Sequence, residues 1–337
     1  MTKMRAAVMN GYGQPLRLAN LPIPKPGPGE ILIKLTASGV CHSDVHVWKG
    51  DSVANPPPDP FVLGHEGVGT VAALGAGVKD WVLGEAAGAA WLHDTCGTCD
   101  LCRAGEESFC PNQRAHGYHV PGTFAEYVVA KAAFAVKLPK GDAADLAPLM
   151  CAGLTAFGAI ERAQLRHGET CAIFGCGGLG LYAVQLAVRR GARVVAVDSD
   201  PAKLVLAARL GAAVTAQAVP DLARDWPVAD RAHATINFAP TPRTWDAMMA
   251  ATKPLGRIVA AAMVSEPVPL VQEWLTWTGV TITGTSVGTR AQMRDLMAQQ
   301  AATPLHSVIE RITLEGASDA LSALAAGQAK GRFCIIY

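Results

Sequence analysis

The chain has 337 residues, half of them hydrophobic and 17% charged, with a formal net charge of +1. That length suits two domains with sizeable cores, and the near-neutral charge excludes the electrostatic footprint of a nucleic-acid or membrane-surface binder. No apolar run reaches the roughly 18 residues of a transmembrane helix, and the opening MTKMRAAVMNGYGQP lacks the apolar stretch of a signal peptide. The expectation is a cytoplasmic protein, in whose reducing surroundings clustered cysteines hold metal more often than they form disulfides.

Residues 1–150 are rich in Pro and Gly and carry short strand-like runs: ILIKLTASGV (31–40), GVGTVAALG (67–75) and FAEYVVA (124–130). Turn-forming KPGPGE (25–30) and NPPPDP (55–60) bound them. The texture changes near residue 151. TCAIFG (170–175) is an apolar run that stops at glycines, and LGLYAVQLAVRR follows with Leu179, Tyr182, Ala183, Leu186 and Ala187 at helical spacing. Arg189 and Arg190 suit the negative end of that helix. ARVVAVD (192–198) predicts a strand, and PAKLVLAARLG (201–211) a helix opened by Pro and closed by Gly. AAVTA (212–216), ATINF (234–238), GRIVAAAM (256–263) and VTITGTS (280–286) complete six strands alternating with helices. That alternation predicts a doubly wound parallel α/β sheet. A helix over 291–300 and a last strand, RFCIIY, are expected to pack back onto the first domain.

GCGGLG (175–180) fits G-x-G-x-x-G in the context that gives the pattern meaning: a strand before it, a helix after it, and Asp198 at the end of the next strand. Gly175 permits the tight turn, Gly177 lets backbone approach a pyrophosphate, and Gly180 lets helix and strand pack closely. Gly178 and Leu179 complete the loop, whose helix N-terminus offers free N–H groups to phosphate. Asp198 would accept the adenosine ribose hydroxyls and repel a 2′-phosphate, and the following Ser199-Asp200 brings no arginine. NAD is therefore expected over NADP. The competing reading is an ordinary glycine-rich turn with Asp198 as a helix cap.

Four of the nine cysteines fall within CGTCDLCRAGEESFC, at Cys96, Cys99, Cys102 and Cys110. Four thiolates complete a tetrahedral zinc shell and leave no position for substrate, so this site is structural. An iron–sulfur cluster or a redox dithiol would use similar residues. Cys41, His65 and Cys151 are further candidates, because an open zinc site needs three protein ligands. Spacing alone does not assemble them, and each taken singly reads as a packing or loop residue.

Nearly the whole chain resembles the zinc-dependent medium-chain alcohol dehydrogenases, and within them the yeast-type and bacterial tetrameric enzymes. The resemblance is carried by GVCHSDVHVWKGD, LGHEGVGTV, WLHDTCGTCDLCRAGEESFC, GTFAEYVV, LMCAGLTAFGAI and SVGTR. It implies a β-rich GroES-like catalytic domain, 1–150 with 287–337, and a six-stranded Rossmann domain, 151–286. It also implies two zinc ions and NAD, a small alcohol or aldehyde substrate, and a homo-oligomer, a tetramer rather than a dimer. Cys41, His65 and Cys151 would hold the catalytic zinc, with Glu66 beside it as a transient ligand and Asp44 behind His65. Ser43 and His46 resemble the proton relay, and His42 and Arg290 the pyrophosphate contacts. Thr155 and Leu179 match positions flanking the nicotinamide, and Trp48, Trp91 and Met263 the walls of a narrow pocket. Cys171, Cys176 and Cys334 match no role and read as packing residues. The family's usual Asp-Arg pair is missing from GEAAGAA (84–90), which puts a local turn or ion pair in question. Zinc-free quinone reductases lack these ligand cysteines, and polyol dehydrogenases usually carry Glu where this chain has Cys151.

Overall fold

A computed structural model describes residues 2–51, 60–218, 226 and 231–337. Apart from Pro60, the turn expected at 55–60 lies outside them. The chain divides into two compact units, Met1–Leu154 with Thr289–Tyr337, and Thr155–Gly288. Cys151 therefore belongs to the first unit, in company with Cys41 and His65.

The first unit is built on the strand Glu30–Gly39. Ile31, Ile33 and Leu35 alternate along it into a core shared with Val71, Trp81 and Val128, as a period of two demands. The strand pairs antiparallel with Glu66–Leu74, Tyr127–Lys131 and Arg332–Ile336 within a seven-stranded sheet. At one end Gly39 lies opposite Glu66. A methyl group on Gly39 would stand 1.9 Å from Glu66 Oε2, so only glycine leaves room for that carboxylate. A separate three-stranded sheet, Arg17–Pro22, Lys3–Met9 and Phe61–Val62, borders a second core containing Phe61, Phe124, Leu321 and Ile335. The run 124–130 becomes a strand only from Tyr127, because Phe124 and Ala125 are spent in that core. In the GEAAGAA stretch, Glu85 pairs with Lys137, whose ammonium also lies over the Trp81 ring. That pair stands where the usual Asp-Arg pair is missing.

The second unit holds six parallel strands in the chain order 3-2-1-4-5-6, centred on Thr170–Phe174. This is the doubly wound arrangement, in which ligands bind beyond the carboxyl ends of the strands. The helix Gly180–Arg189 is buried from Gly180 to Ala187, as its nearly unbroken apolar sequence requires. Asp200 caps the helix Pro201–Arg209 by accepting the Ala202 N–H at 2.8 Å. The run predicted at 256–263 ends at Ala260 and starts earlier, at Thr252, with a register shift against Ala232–Asn237 between Thr252 and Arg257. Among the described residues no single helix is long and apolar enough to cross a membrane.

Candidate active site

The helix His42–Lys49 begins directly after Cys41, and its first turn organises the site. Asp44 Oδ2 accepts the Cys41 N–H at 2.9 Å, folding the side chain back as a cap. Its other oxygen accepts the Gly64 N–H at 3.2 Å and the His65 Nδ1–H at 2.8 Å. A carboxylate only accepts, so this bond holds a proton on Nδ1 and leaves Nε2 as the nitrogen that a metal or a second proton would take. Gly64 turns the chain into His65 with φ +96, and a Cβ there would meet the Phe124 ring at 2.5 Å. Cys151 sits between the short 3-10 turn Ala147–Met150 and the helix Ala152–Ala163.

These elements bring the Sγ atoms of Cys41 and Cys151 to 4.0 Å from each other. The donor atoms of Cys41, His65, Glu66 and Cys151 all lie within 4.8 Å of one another, and all four residues are buried. His65 Nε2 is buried with no hydrogen-bond partner. An orphaned imidazole nitrogen facing two thiols is what a tetrahedral metal would satisfy, since thiolates held about 2.3 Å from zinc stand about 3.8 Å apart. The donors fit a Cys₂His zinc. Glu66, the fourth candidate, is already engaged: it accepts the Ala152 N–H at 3.2 Å and pairs with the buried Arg332. Burial pushes Glu66 up to about 7 against the pull of Arg332. The hydrogen bond from Cys151, with help from His65, draws the Cys41 thiol well down, and the same bond pushes Cys151 up. Burial alone would keep His65 neutral, but Asp44 and Cys41 overturn this and raise it well above the imidazole range. Without metal the cluster therefore stores protons that a divalent ion would displace.

The second cluster closes on itself. Cys96, Cys99, Cys102 and Cys110 place their sulfurs within 4.8 Å of one another, with contacts of 3.5 and 3.9 Å. The backbone N–H groups of Thr98 and Cys99 draw Cys96 down to about 6, toward the ligating thiolate. Four sulfurs at tetrahedral spacing fit a structural zinc.

Around the first cluster, Ser43 is half-buried with its hydroxyl 4.0 Å from Cys41 Sγ. His46 Nδ1 donates to Asp51, a partner that sequence reasoning missed. His42 is exposed on the same helix. The Trp91 ring meets His65 edge-on with centroids 4.9 Å apart, whereas Trp48 is buried in the core and donates its indole N–H to the Gln14 carbonyl at 2.7 Å. Arg290 is engaged by Glu107 at 2.6 Å. Arg332 was also missed: it reads as one arginine in an apolar tail, and only pairing of its strand with Glu30–Gly39 reveals its reach to Glu66.

In the second unit, Gly175 adopts φ +91, and a Cβ there would lie 2.6 Å from the Ala239 nitrogen. A Cβ on Gly180 would lie 1.8 Å from the Gly175 carbonyl oxygen, whereas Gly177 has nothing within 4 Å. The loop is thus closed on its protein side and open at Gly177, as a phosphate cradle requires. Gly178 and Leu179 lead into the helix Gly180–Arg189. Asp198 is buried, and its oxygens accept the N–H groups of Cys176 at 2.6 Å and Asp200 at 2.9 Å. Thr155 is buried in its helix, and Met263 is 55% exposed after the strand Thr252–Ala260. Cys171, Cys176 and Cys334 are buried thiols that burial pushes up to about 12, which leaves them inert.

Residues 27–140 match the alcohol dehydrogenase GroES-like domain, and residues 178–302 match the zinc-binding dehydrogenase family. An alcohol dehydrogenase of Moraxella sp. is 36% identical over 337 residues, covering 99% of both chains. One from Geobacillus stearothermophilus is 35% identical over 333 residues, covering 98% of both. Among solved structures, acetophenone reductase of Geotrichum candidum in complex with NAD superposes with a TM-score of 0.89 at 30% identity, covering 100% of this chain and 98% of that one. The alcohol dehydrogenase of Aeropyrum pernix does so with the same score and identity, covering 99% and 100%.

Proposed function

The chain belongs to the zinc-binding alcohol dehydrogenase family, and on that premise we propose that it catalyses the reversible NAD-linked oxidation of small alcohols to aldehydes or ketones. The observation that carries this reading is the buried trio Cys41, His65 and Cys151, with an unsatisfied Nε2 turned toward two thiols. These three would hold a catalytic zinc, and Cys96, Cys99, Cys102 and Cys110 a structural one. When bound, the zinc supplies Lewis acidity to the substrate oxygen and NAD accepts the hydride.

The chain's own residues do the rest. Asp44 keeps His65 in the tautomer that offers Nε2, and stiffens the ring. Ser43 takes the hydroxyl proton and passes it toward His46. That histidine's side chain is 26% exposed and leans on Asp51, so it can release the proton to solvent. The balance is alcohol plus NAD⁺ to carbonyl compound, NADH and a proton. Glu66, held by Arg332 and the Ala152 N–H, would be the residue placed to serve as a transient ligand if those contacts let go. Asp198 is suited to the adenosine ribose, since its charge disfavours a 2′-phosphate, and the open Gly177 suits the pyrophosphate.

Trp91, edge-on to His65, supports a narrow wall and hence small primary alcohols. The core position of Trp48 supports a roomier site and a second reading, reduction of bulkier ketones, which is the activity named for the Geotrichum relative. A cytoplasmic location suits cysteines gathered into two metal-binding clusters. Self-association suits the exposed Trp277 and Val271 near the edge strand Thr281–Gly284. The decisive experiment is a steady-state series of primary, secondary and aromatic alcohols and their carbonyl products with NAD and NADP, with zinc measured on the same preparation. Turnover without zinc would refute the proposal. Turnover confined to bulky ketones would replace the first reading with the second.

A further inference from the structure

We propose that Glu107 and Arg290 form a clamp that keeps the four-thiol loop closed on its metal, which makes Arg290 a positioning residue for metal retention. The inference rests on reading that loop as a zinc site. Glu107 lies between Cys102 and Cys110, in a short 3-10 turn that ends one residue before Cys110. Elsewhere the loop is largely self-bonded and open to water: Cys96, Cys99 and Cys102 are half-exposed, and Arg103 reaches only to Asp100 within the same turn. Glu107, like its neighbours Ser108 and Cys110, is buried, and its side chain, 8% exposed, reaches a segment far along the chain. Its Oε1 accepts the Arg290 N–H at 2.8 Å and Nε–H at 3.0 Å, and its Oε2 accepts Nε–H at 3.1 Å and Nη2–H at 2.6 Å.

Arg290 is itself immobilised on its other sides. Nη1 donates to the Ala133 carbonyl at 3.4 Å, and the guanidinium lies 4.2 Å from the centre of the Phe134 ring. It is the first residue of the helix Arg290–Ala302, which Thr289 caps reciprocally with Gln292. A forked guanidinium bond and a helix N-terminus thus meet at Glu107, and the Phe134 ring holds the arginine that makes the fork. The electrostatics agree. Four thiolates around a divalent ion carry a net charge of about −2, so a fixed cation beside them favours the loaded loop. The Glu107 bond first, and the charge of Cys102 last, stabilise the Arg290 guanidinium. Service to a cofactor phosphate would require breaking the fork and stranding a nearly buried carboxylate.

The test measures zinc per chain and the rate of zinc release to a chromogenic chelator at neutral pH, in the wild type and in Arg290→Ala, Arg290→Lys and Glu107→Gln. Cys102→Ser identifies which metal belongs to the loop. Arg290→Ala and Glu107→Gln should each release the loop metal about tenfold faster or more, the scale on which partners of metal ligands act. The other metal should be held as before. Arg290→Lys should fall between, because an ammonium keeps the charge and loses the fork. Combining Arg290→Ala with Glu107→Gln should add nothing, since both remove one contact, and Glu107→Gln should leave NADH affinity unchanged. Release at the wild-type rate in both single variants, or equal acceleration of both metals, overturns the clamp. A wild-type chain that takes up no metal at Cys96, Cys99, Cys102 and Cys110 refutes the zinc-site reading itself, a different failure.

Discussion

Acid stability is where a buried histidine pair should declare itself. His116 is 1% exposed; its Nδ1–H donates to the Ala90 carbonyl at 2.7 Å, and its Nε2 lies 3.1 Å from His93 Nδ1. A neutral His116 donates to the Ala90 carbonyl and accepts from His93, with the Val129 carbonyl 3.3 Å from the same Nε2 as a weaker neighbour. A protonated one would press a second donor against His93. Burial, with His93 beside it, lowers His116 from 6.5 to about 4. The sign follows. Above pH 6.5 both folded and unfolded forms are neutral and the group contributes nothing to the pH slope. As pH falls toward 4 the unfolded chain takes up a proton that the folded chain refuses, so stability is lost, and the loss levels off below the folded value. At 1.36 kcal/mol per unit, the cost is about 2 kcal/mol at pH 5 and about 3 kcal/mol once pH has passed 4. His116→Gln keeps an amide donor for Ala90 and removes the titration. Urea unfolding of wild type and variant between pH 7 and pH 4 should show the wild-type advantage shrinking by that amount. Metal loss at low pH affects both proteins and cancels in the difference. Parallel stability curves would refute the reasoning.

Three further outcomes are expected. His46→Gln should cut turnover by about 10²-fold or more where proton transfer limits the rate, with zinc content intact; an unchanged pH–rate profile would count against the relay. Asp198→Ala should weaken NAD binding and narrow the gap to NADP, because the ribose acceptor is lost while the 2′-phosphate is no longer repelled; titration of both cofactors by NADH or NADPH fluorescence checks it, and unaltered NAD kinetics would remove Asp198 from the cofactor site. Trp277→Arg, placing a charge on a side chain that is 81% exposed, should reduce the assembled mass seen by light scattering. A wild-type protein that is already monomeric would end the self-association proposal.

What could be seen in the sequence was whatever is local. Short apolar runs located the central strands of the first unit and the six of the second, while Lys3–Met9 and Arg17–Pro22 went unread; the glycine loop announced itself because its turn, cradle and packing contact lie within six residues, 175–180. The four-thiol loop was legible for the same reason. The trio Cys41, His65 and Cys151 needed the family resemblance, since its members are 24 and 86 residues apart and meet only after strands pair. Arg332, Glu107 and Asp51 escaped notice altogether. Each is a charged residue whose partner is set by tertiary geometry, and a lone charge in sequence carries no address. The helices Ala152–Ala163 and Ala317–Ala325 also went unread, although their apolar residues recur at helical spacing.

The first unit is discontinuous, and that orders events during synthesis. Its strand Arg332–Ile336 lies beside Glu30–Gly39 and delivers Arg332 to Glu66, while Tyr337 reaches the Thr123 carbonyl. All of Thr155–Gly288 leaves the ribosome before that strand does, so the dinucleotide unit can reach its native form while the metal-binding unit still lacks a neighbour in its sheet. Nascent chains stalled between residues 288 and 332 should therefore bind cofactor analogues before they can seat zinc between Cys41, His65 and Cys151.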